Sequence, residues 1–249
     1  MKMGAGYDSL PQFIKTAVLK SARGMQAVFK IRKLTRFLEG LAVSPEQRYL
    51  KWISVFDQDK RNALYSKEFL NTVEAYDPSQ YLFNLISGSN IDDSVDRIFY
   101  TDIMSYLPED LLVKVDIATM ANSLEARSPF LDHKLMEFSA KLPSGFKVSN
   151  FNTKQILKES LKGILPNRIL NRNKKGFGVP LGSWFRGELK DYLSDILLDN
   201  KALKRGYFDP KYVKQIIAEH NTAKCDHGHR LWSLLNMELW HDMFMDKTA

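Results

Sequence analysis

The chain has 249 residues, of which 44% are hydrophobic and 26% charged, a balance typical of a soluble globular domain or a large part of one. No run of about 18 apolar residues indicates a membrane span, and the N-terminal MKMGAGYDSLPQF lacks the apolar segment of a secretory signal. Cys225 is the only cysteine, so an internal disulfide is excluded and a reducing cytoplasm is the expected location.

Helical patterns follow one another along the chain, beginning with one or two predicted helices over 10–39. The run Ser44-Pro45-Glu46-Gln47 predicts a helix start in which Ser44 caps the first turn and Gln47 reaches back to it. The residues from Asp77 to Gln80 repeat this pattern before the next helix. The further predicted helices cover 81–87, 92–106, 108–122, 133–141, 153–162, 184–198, 210–221 and 230–245.

Short polar residues stand directly before three of these later helices. Asp132, Asn152 and Asp209 are therefore expected to cap the helices that follow them. No run of β-branched residues with period-two alternation predicts a strand. The expected fold class is mainly α, an irregular array of many helices.

Positive charge is concentrated in the stretch 141–175. The chain's formal net charge is +7, and this stretch alone holds nine basic residues against one acid, Glu159. The basic residues are Lys141, Lys147, Lys154, Lys158, Lys162, Arg168, Arg172, Lys174 and Lys175. Such a cluster indicates either a phosphate-bearing partner or a solvated helix face, and charge alone does not decide between them.

Two segments hold the residues with the clearest chemical potential. In SLEARSPFLDH (Ser123–His133), Glu125 and Arg127 are two apart, so in an extended segment they point the same way, and they either pair with each other or face a ligand. In the predicted loop 171–182, glycines permit close backbone approach, and Lys174 and Lys175 suit phosphate oxygens. A structural ion pair and an incidental dibasic loop are the alternative interpretations.

Together these segments resemble the C-terminal part of the asparagine synthetase family. The likeness is carried by LLVKVDIATMANSLEARSPFLDH, TKQILKESLK, ILPNRILNRNKKGFGVPLGSWF and the closing HGHRLWSLLNMELW, and it runs from about residue 106 to 244. It implies the helical part of an adenine-nucleotide α-hydrolase-like synthetase domain without its parallel sheet. We expect residues 1–105 to be a helical segment that follows that sheet, and 106–249 to be the C-terminal helical region.

The resemblance implies an ATP- and Mg²⁺-dependent reaction in which the aspartate side-chain carboxylate is adenylated. Ammonia from glutamine hydrolysis then attacks the acyl-adenylate to give asparagine. Lys174 falls on the family's catalytic lysine, which neutralises charge on the phosphates and the intermediate. Lys175, Glu125, Arg127 and Asp116 match positions that bind substrate or phosphate, or shape the site around them.

The sequence also departs from the family pattern. Residue 2 is Lys2 rather than the glutaminase's nucleophilic cysteine, and no Ser-Gly-Gly-any-Asp-Ser loop for ATP is present. Gly6-Tyr7 matches the ending of a second, metal-binding loop. The expected partners are therefore the glutaminase and ATP-loop portions, and the chain by itself is expected to be incomplete or inactive.

Other patterns in the sequence are weaker. His220, Cys225, His227 and His229 crowd one loop, but their spacing is not that of a usual zinc site, and no metal ligand is predicted. Aromatic residues near basic ones are expected to pack in the core rather than stack on bases. The alternative to the synthetase is a non-catalytic helical module whose basic stretch faces phosphate or nucleic acid.

Overall fold

The computed structural model describes residues 44–73, 76–149, 152–173, 176 and 178–246. The helices predicted over 10–39 lie outside these residues. Within them the chain is mainly helical with one small two-stranded sheet, so the expected fold class is confirmed. Among the described helices, none is long and apolar enough to cross a membrane.

Most of the described elements are short helices. The first part of the chain contains α1 (Pro45–Ile53), α2 (Gln58–Leu64), α3 (Lys67–Val73), α4 (Ser79–Gly88), α5 (Ser94–Met104), a π-helical turn (Leu107–Leu112), α6 (Val113–Met120), a 3₁₀ turn (Pro129–Leu131) and α7 (His133–Lys141). The second part contains α8 (Ser144–Lys147), β1 (Val148–Ser149), β2 (Asn152–Thr153), α9 (Gln155–Ser160), α10 (Asn167–Leu170), α11 (Leu181–Trp184), α12 (Lys190–Leu197), α13 (Asn200–Lys204), α14 (Pro210–Asn221), α15 (Gly228–Trp240) and a closing π-helical turn (His241–Met245).

Spatial contacts divide the chain into two compact units, and each unit is discontinuous in sequence. Unit 1 comprises residues 1–52 and 78–174, and unit 2 comprises residues 53–77 and 175–249. The sequence-based division after residue 105 stays a prediction. The last boundary between the units, after residue 174, falls inside the loop predicted at 171–182.

Several helix starts follow the local chemistry that the sequence predicts. At the start of α1, the Gln47 amide donates to Ser44 Oγ at 3.2 Å and the Ser44 amide donates to Gln47 Oε1 at 3.4 Å, which forms the predicted capping box. The Asp132 carboxylate accepts from two amides of α7, and Asp209 accepts from the Lys211 amide at 2.7 Å. These caps are therefore confirmed.

Other boundaries differ from the prediction. Asn152 does not cap a helix, because Asn152 and Thr153 pair with Ser149 and Val148 in an antiparallel ladder. The helix of this region, α9, begins only at Gln155, after Lys154 in a left-handed conformation with φ of 57°. The continuous helix predicted over 184–198 is instead two helices separated by a turn, with α12 beginning at Lys190.

The described core of unit 1 lies between α1, α4 and α5. Tyr49, Leu50 and Ile86 are buried there, with Leu82, Phe83 and Ile98 packed against them. Tyr49 also donates its hydroxyl hydrogen to the Asp102 carboxylate, and this contact, together with burial as the main cause, strongly raises the pKa of Tyr49. Lys147 donates to Asp96 at 2.7 Å, which ties α8 to α5.

Unit 2 has the larger described core. Its buried residues come from α2, α11, α12, α14, α15 and the turn after α11: Leu64, Leu181, Phe185, Leu193, Leu197, Val213, Ile216, Ile217, Leu231, Leu234 and Leu235. Full burial of one such side chain contributes about 1.5–3 kcal/mol. Helices α12, α14 and α15 supply most of these residues, and the shorter α11 adds Leu181 to the same core.

Candidate functional site

The segment that joins α6 to α7 begins with a tight helix ending. Ser123 has a φ of 56°, the Ser123 amide donates to the Met120 carbonyl at 2.9 Å, and the Leu124 amide donates to the Thr119 carbonyl at 3.0 Å. This pair of bonds is a Schellman ending in which the left-handed position is filled by serine rather than glycine. It turns the chain away from the helix axis and starts the exposed stretch that contains Glu125 and Arg127.

Glu125 and Arg127 pair with each other in this stretch. Arg127 Nε lies 2.9 Å and Nη2 lies 2.7 Å from Glu125 Oε1. The side chains are 66% and 85% exposed respectively, so water screens the pair and it contributes little to stability. Within the part of the chain that the structure describes, the second carboxylate oxygen and the remaining guanidinium donors make no further hydrogen bond, so they can meet a ligand.

The remaining predicted residue of this region stands apart from that pair. Asp116 lies in the first turn of α6, is exposed, and makes no side-chain hydrogen bond or ion pair with the described residues. The structure thus brings Glu125 and Arg127 together and gives no contact between them and Asp116.

The loop predicted at 171–182 holds the main chemical candidates, Lys174 and Lys175, and both lie outside the described residues. Its described ends are well fixed. On one side Leu170, the last residue of α10, is buried in unit 1. On the other side the chain enters α11 after Pro180, and the Leu181 side chain is buried in the core of unit 2.

The basic stretch 141–175 is less uniformly positive in the structure than in the sequence. Lys147 pairs with Asp96 at 2.7 Å and Lys162 pairs with Glu159 at 2.6 Å. Lys158 lines a polar depression of about 220 Å³ together with Lys162 and several side-chain amides. Part of the positive charge is therefore neutralised within unit 1.

A wider cavity of about 560 Å³ also lies in unit 1. Its walls are mostly apolar and aromatic, with Phe99, Tyr100 and Leu111 among them, and Asp96, Asp102 and Lys147 at its polar positions. The two acids already pair with Lys147 and Tyr49. This lining does not offer the convergent free donors that a nucleotide's phosphates require.

The histidine-rich loop after α14 forms a hydrogen-bonded network. His220 is fully buried, its Nε2 lies 3.1 Å from the Gly182 carbonyl oxygen, and its Nδ1 accepts from the His227 amide at 3.0 Å. His227 Nε2 lies 2.9 Å from Glu219 Oε2. Within the described residues there is no group of three or more His, Cys, Asp or Glu side chains arranged to hold a metal ion.

Sequence reasoning missed this network because its partners are distant in sequence. Gly182 and His220 are 38 residues apart, and no local pattern connects them. The one signal in the sequence was the crowding of histidines beside Asp226, which by itself suggests a metal site as readily as a set of hydrogen bonds.

The chain as a whole matches one protein family. Residues 6–242 match the family model described as asparagine synthase. This range covers nearly all of the chain and includes both SLEARSPFLDH and the loop at 171–182. The chain therefore belongs to the asparagine synthase family, and the resemblance carried by its motifs is confirmed.

Individual relatives carry asparagine synthetase names. The chain is 29% identical over 241 residues to asparagine synthetase (glutamine-hydrolyzing) 1 of Bacillus subtilis (strain 168), which covers 97% of this chain and 37% of the relative. It is 38% identical over 159 residues to a Mycobacterium tuberculosis (strain ATCC 25618 / H37Rv) protein that carries the asparagine synthetase (glutamine-hydrolyzing) name provisionally, covering 63% and 24%. It is 32% identical over 137 residues to the Gallus gallus asparagine synthetase (glutamine-hydrolyzing), covering 49% and 24%.

The chain thus spans roughly a quarter to two fifths of the length of these curated relatives. No solved structure gives a significant match to it.

Proposed function

We propose that this chain supplies the helical part of an asparagine-forming synthetase, a ligase. The reaction is the ATP-dependent conversion of aspartate to asparagine through an acyl-adenylate, with ammonia derived from glutamine. The observation that carries the proposal is the family match across residues 6–242, which includes both motif segments in their expected order. The relatives' names give the same product and the same nitrogen source.

Lys174 is the residue to which we assign the central chemical role. Its ammonium group neutralises negative charge that builds up on the phosphates and on the acyl-adenylate, and Lys175 adds a second cation beside it. Such electrostatic stabilisation is commonly the largest single contribution to an enzymatic rate. On the two sides of the loop the nearest buried residues are Leu170, in unit 1, and Leu181, in unit 2.

Glu125 and Arg127 are assigned to the substrate-facing edge of the site. Their mutual pairing orients the guanidinium and leaves donors free for a carboxylate or phosphate. Asp116 is assigned a role in shaping the same site from α6. The exposure of all three side chains supports contact with a ligand or with another part of the synthetase.

The surface of unit 1 supports the proposal that further portions of a synthetase act with this chain. Ile117, Leu124 and Phe130 are 64%, 61% and 62% exposed, and Val113, Val115 and Met120 nearby are also exposed. A concentration of exposed apolar side chains marks a surface that binds another protein segment. We assign this surface to the ATP-loop portion, and the glutaminase portion completes the enzyme.

The described residues do not by themselves form a site for Mg²⁺ and ATP. Mg²⁺ is usually bound through one or two carboxylates together with substrate phosphates. In the described part of the chain, the acids of the proposed site are either paired, as Glu125 is, or isolated, as Asp116 is. We therefore assign the binding of Mg²⁺ and ATP to the ATP-loop portion. The role assigned to this chain is charge neutralisation by Lys174.

Two preparations test the proposal. In ATP–pyrophosphate exchange with aspartate, the isolated chain is expected to show no activity above background. A chimera, in which this chain replaces the aligned 241 residues of the Bacillus subtilis relative, is expected to form asparagine. Robust ATP–pyrophosphate exchange by the isolated chain would contradict the proposal that it is inactive alone. A folded chimera that forms no asparagine would contradict the proposed function.

The alternative function is a non-catalytic module that binds a phosphate backbone through 141–175. The ion pairs of Lys147 and Lys162 weigh against it, because paired lysines release fewer counterions on binding. If it were correct, the isolated chain would bind a nucleic acid with an affinity that falls steeply as salt is added.

A further inference from the structure

Gly182, the last residue of the predicted loop 171–182, is the second residue of α11 in the structure and packs closely against its neighbours. A methyl group at Gly182 would lie 2.9 Å from Asp226 Oδ2 and 3.2 Å from Arg186 Nη2. A methyl group at Gly228 would lie 3.0 Å from the Gly182 nitrogen. The start of α15 therefore meets the backbone of α11 at Gly182, and a side chain at Gly228 would press on that backbone, whereas one at Gly182 would press on the Asp226 and Arg186 side chains.

His220 completes this contact from α14. Because its Nδ1 accepts a hydrogen bond from the His227 amide, the proton of the neutral ring is on Nε2, which donates to the Gly182 carbonyl at 3.1 Å. Burial is the main reason that the pKa of His220 is lowered, with the charge of Arg186 as the next cause. The neutral ring thus serves as a fixed bridge between α14 and the end of the loop.

Asp226 forms the other side of the contact. Its Oδ1 accepts from the Gly228 amide at 2.9 Å, and a methyl group at Gly182 would lie 2.9 and 3.1 Å from its two carboxylate oxygens. The hydrogen bond from Gly228 is the first cause of the lowered pKa of Asp226, so the carboxylate stays charged. The Asp226 side chain is 67% exposed, and the Gly228 amide and the His220 ring, at 3.5 Å, are the groups that orient it.

A second layer of contacts fixes the orientation of His227. Arg230 Nη1 donates to His227 Nδ1 at 2.7 Å, and His227 Nε2 in turn donates to Glu219 Oε2 at 2.9 Å. His227 therefore stays where its backbone amide meets His220. The whole network stands on α14 and α15, whose inner faces belong to the buried core of unit 2.

We propose that His220 and Asp226 are positioning residues that hold Gly182, and with it the C-terminal end of the loop at 171–182, in the place that asparagine formation requires. The inference rests on the proposed function, because Lys174 lies in this loop eight residues before Gly182. In this proposal neither residue contacts the substrate. Both act through the backbone, so their loss lowers turnover more than substrate binding.

Exchange measurements on the isolated 249-residue chain test the positional claim without reference to activity. His220→Leu is expected to accelerate amide hydrogen exchange at Leu181 and Ser183, whose amides donate to Val179 and Pro180 carbonyls. His220→Gln keeps a donor for Gly182 and is expected to retain most of the protection. Gly182→Ala is expected to resemble His220→Leu. Gly145→Ala is the matched control, because a methyl group there meets no atom within 4 Å.

Kinetics of the chimera test the catalytic consequence. His220→Leu is expected to lower kcat by about 10- to 100-fold with the KM for aspartate within about twofold, and His220→Gln to restore most of kcat. Unchanged kcat in a folded His220→Leu chimera would overturn the inference. So would an equal loss of kcat in the His220→Gln and His220→Leu chimeras. A Lys174→Ala chimera that keeps full synthesis would instead overturn the proposed function, so the two failures are distinguishable.

Discussion

Two arginines show how burial decides what an ion pair contributes. Arg205 is 11% exposed, with its Nε 2.7 Å from the buried Glu238 carboxylate and two further bonds, of 2.6 and 3.2 Å, to Asp246. Arg127 makes an equally short pair with Glu125, but in open solvent. Removing the first arginine leaves a buried carboxylate without its partner, whereas removing the second leaves a carboxylate in water.

We expect Arg205→Met to lower the free energy of unfolding by about 3 kcal/mol, because Glu238 would be left charged and buried. Arg127→Met is the matched control and is expected to change it by less than about 0.5 kcal/mol. Urea unfolding followed by circular dichroism measures both. Similar effects of the two substitutions would contradict the difference in burial.

At the scale of secondary structure, local sequence predicted those features that depend only on neighbouring residues. The caps at Ser44, Asp132 and Asp209 involve donors two or three residues away, so their patterns are readable. Asn152 has the same capping chemistry, but a tight return of the chain pairs it with Ser149. The sequence around Asn152 does not show that pairing in a β-ladder replaces the helix cap.

The end of α6 shows a second limit of prediction. The residue with positive φ that ends a helix is usually a glycine, which makes such an ending predictable from sequence. Here Ser123 occupies that position. The pairing of Glu125 with Arg127, by contrast, was one of two outcomes that their spacing predicted. The contact of Gly182 with His220 was not predictable, because it depends on how distant helices pack in unit 2.

The helix ending at Ser123 can be tested by substitution. Ser123→Val is expected to cost about 1 kcal/mol, because a β-branched residue is strained at positive φ, whereas Ser123→Gly removes that strain. In the Ser123→Val variant, amide hydrogen exchange at positions 123 and 124 should be about fivefold faster than in the unaltered chain. Ser128→Val is the control, since Ser128 is extended with φ of −109°. Equal exchange in both valine variants would count against a strained left-handed ending.

For the molecule as a whole, several carboxyl groups link stability to pH. Hydrogen bonds, first from His227, lower the pKa of Glu219 to about 2. Arg205, followed by Lys201, lowers the pKa of Asp246 strongly. The unfolded chain takes up protons on these groups near pH 4, where the folded chain does not, so their stabilisation is complete above about pH 4 and is lost as the pH falls toward 2.

We therefore expect the urea midpoint of the chain to fall between pH 5 and pH 3. His220 adds to the trend at higher pH, because its lowered pKa leaves it neutral while unfolded imidazole takes up a proton below about pH 6.5. Glu219→Gln is expected to show a smaller fall between pH 5 and pH 3. A midpoint that does not change over this range would contradict the linkage.

Membership in the asparagine synthase family was predictable from sequence, because its motifs are contiguous runs in a fixed order. The contacts of Gly182 were not predictable, since they come from a side chain of α14 and from the start of α15. Among the described residues, unit 1 has an exposed apolar surface, and in unit 2 His220 and Asp226 contact Gly182. Both features suit a chain that works as one portion of a larger synthetase.

Asparagine formation by the chimera tests the proposed function most directly. With aspartate, ATP, Mg²⁺ and glutamine supplied, Lys174→Ala is expected to abolish asparagine formation while glutamine hydrolysis continues. Lys214→Ala, at an exposed position on α14, is expected to leave both activities unchanged. Asparagine formation at the same rate in the Lys174→Ala and Lys214→Ala chimeras would contradict the role assigned to Lys174 and to its loop.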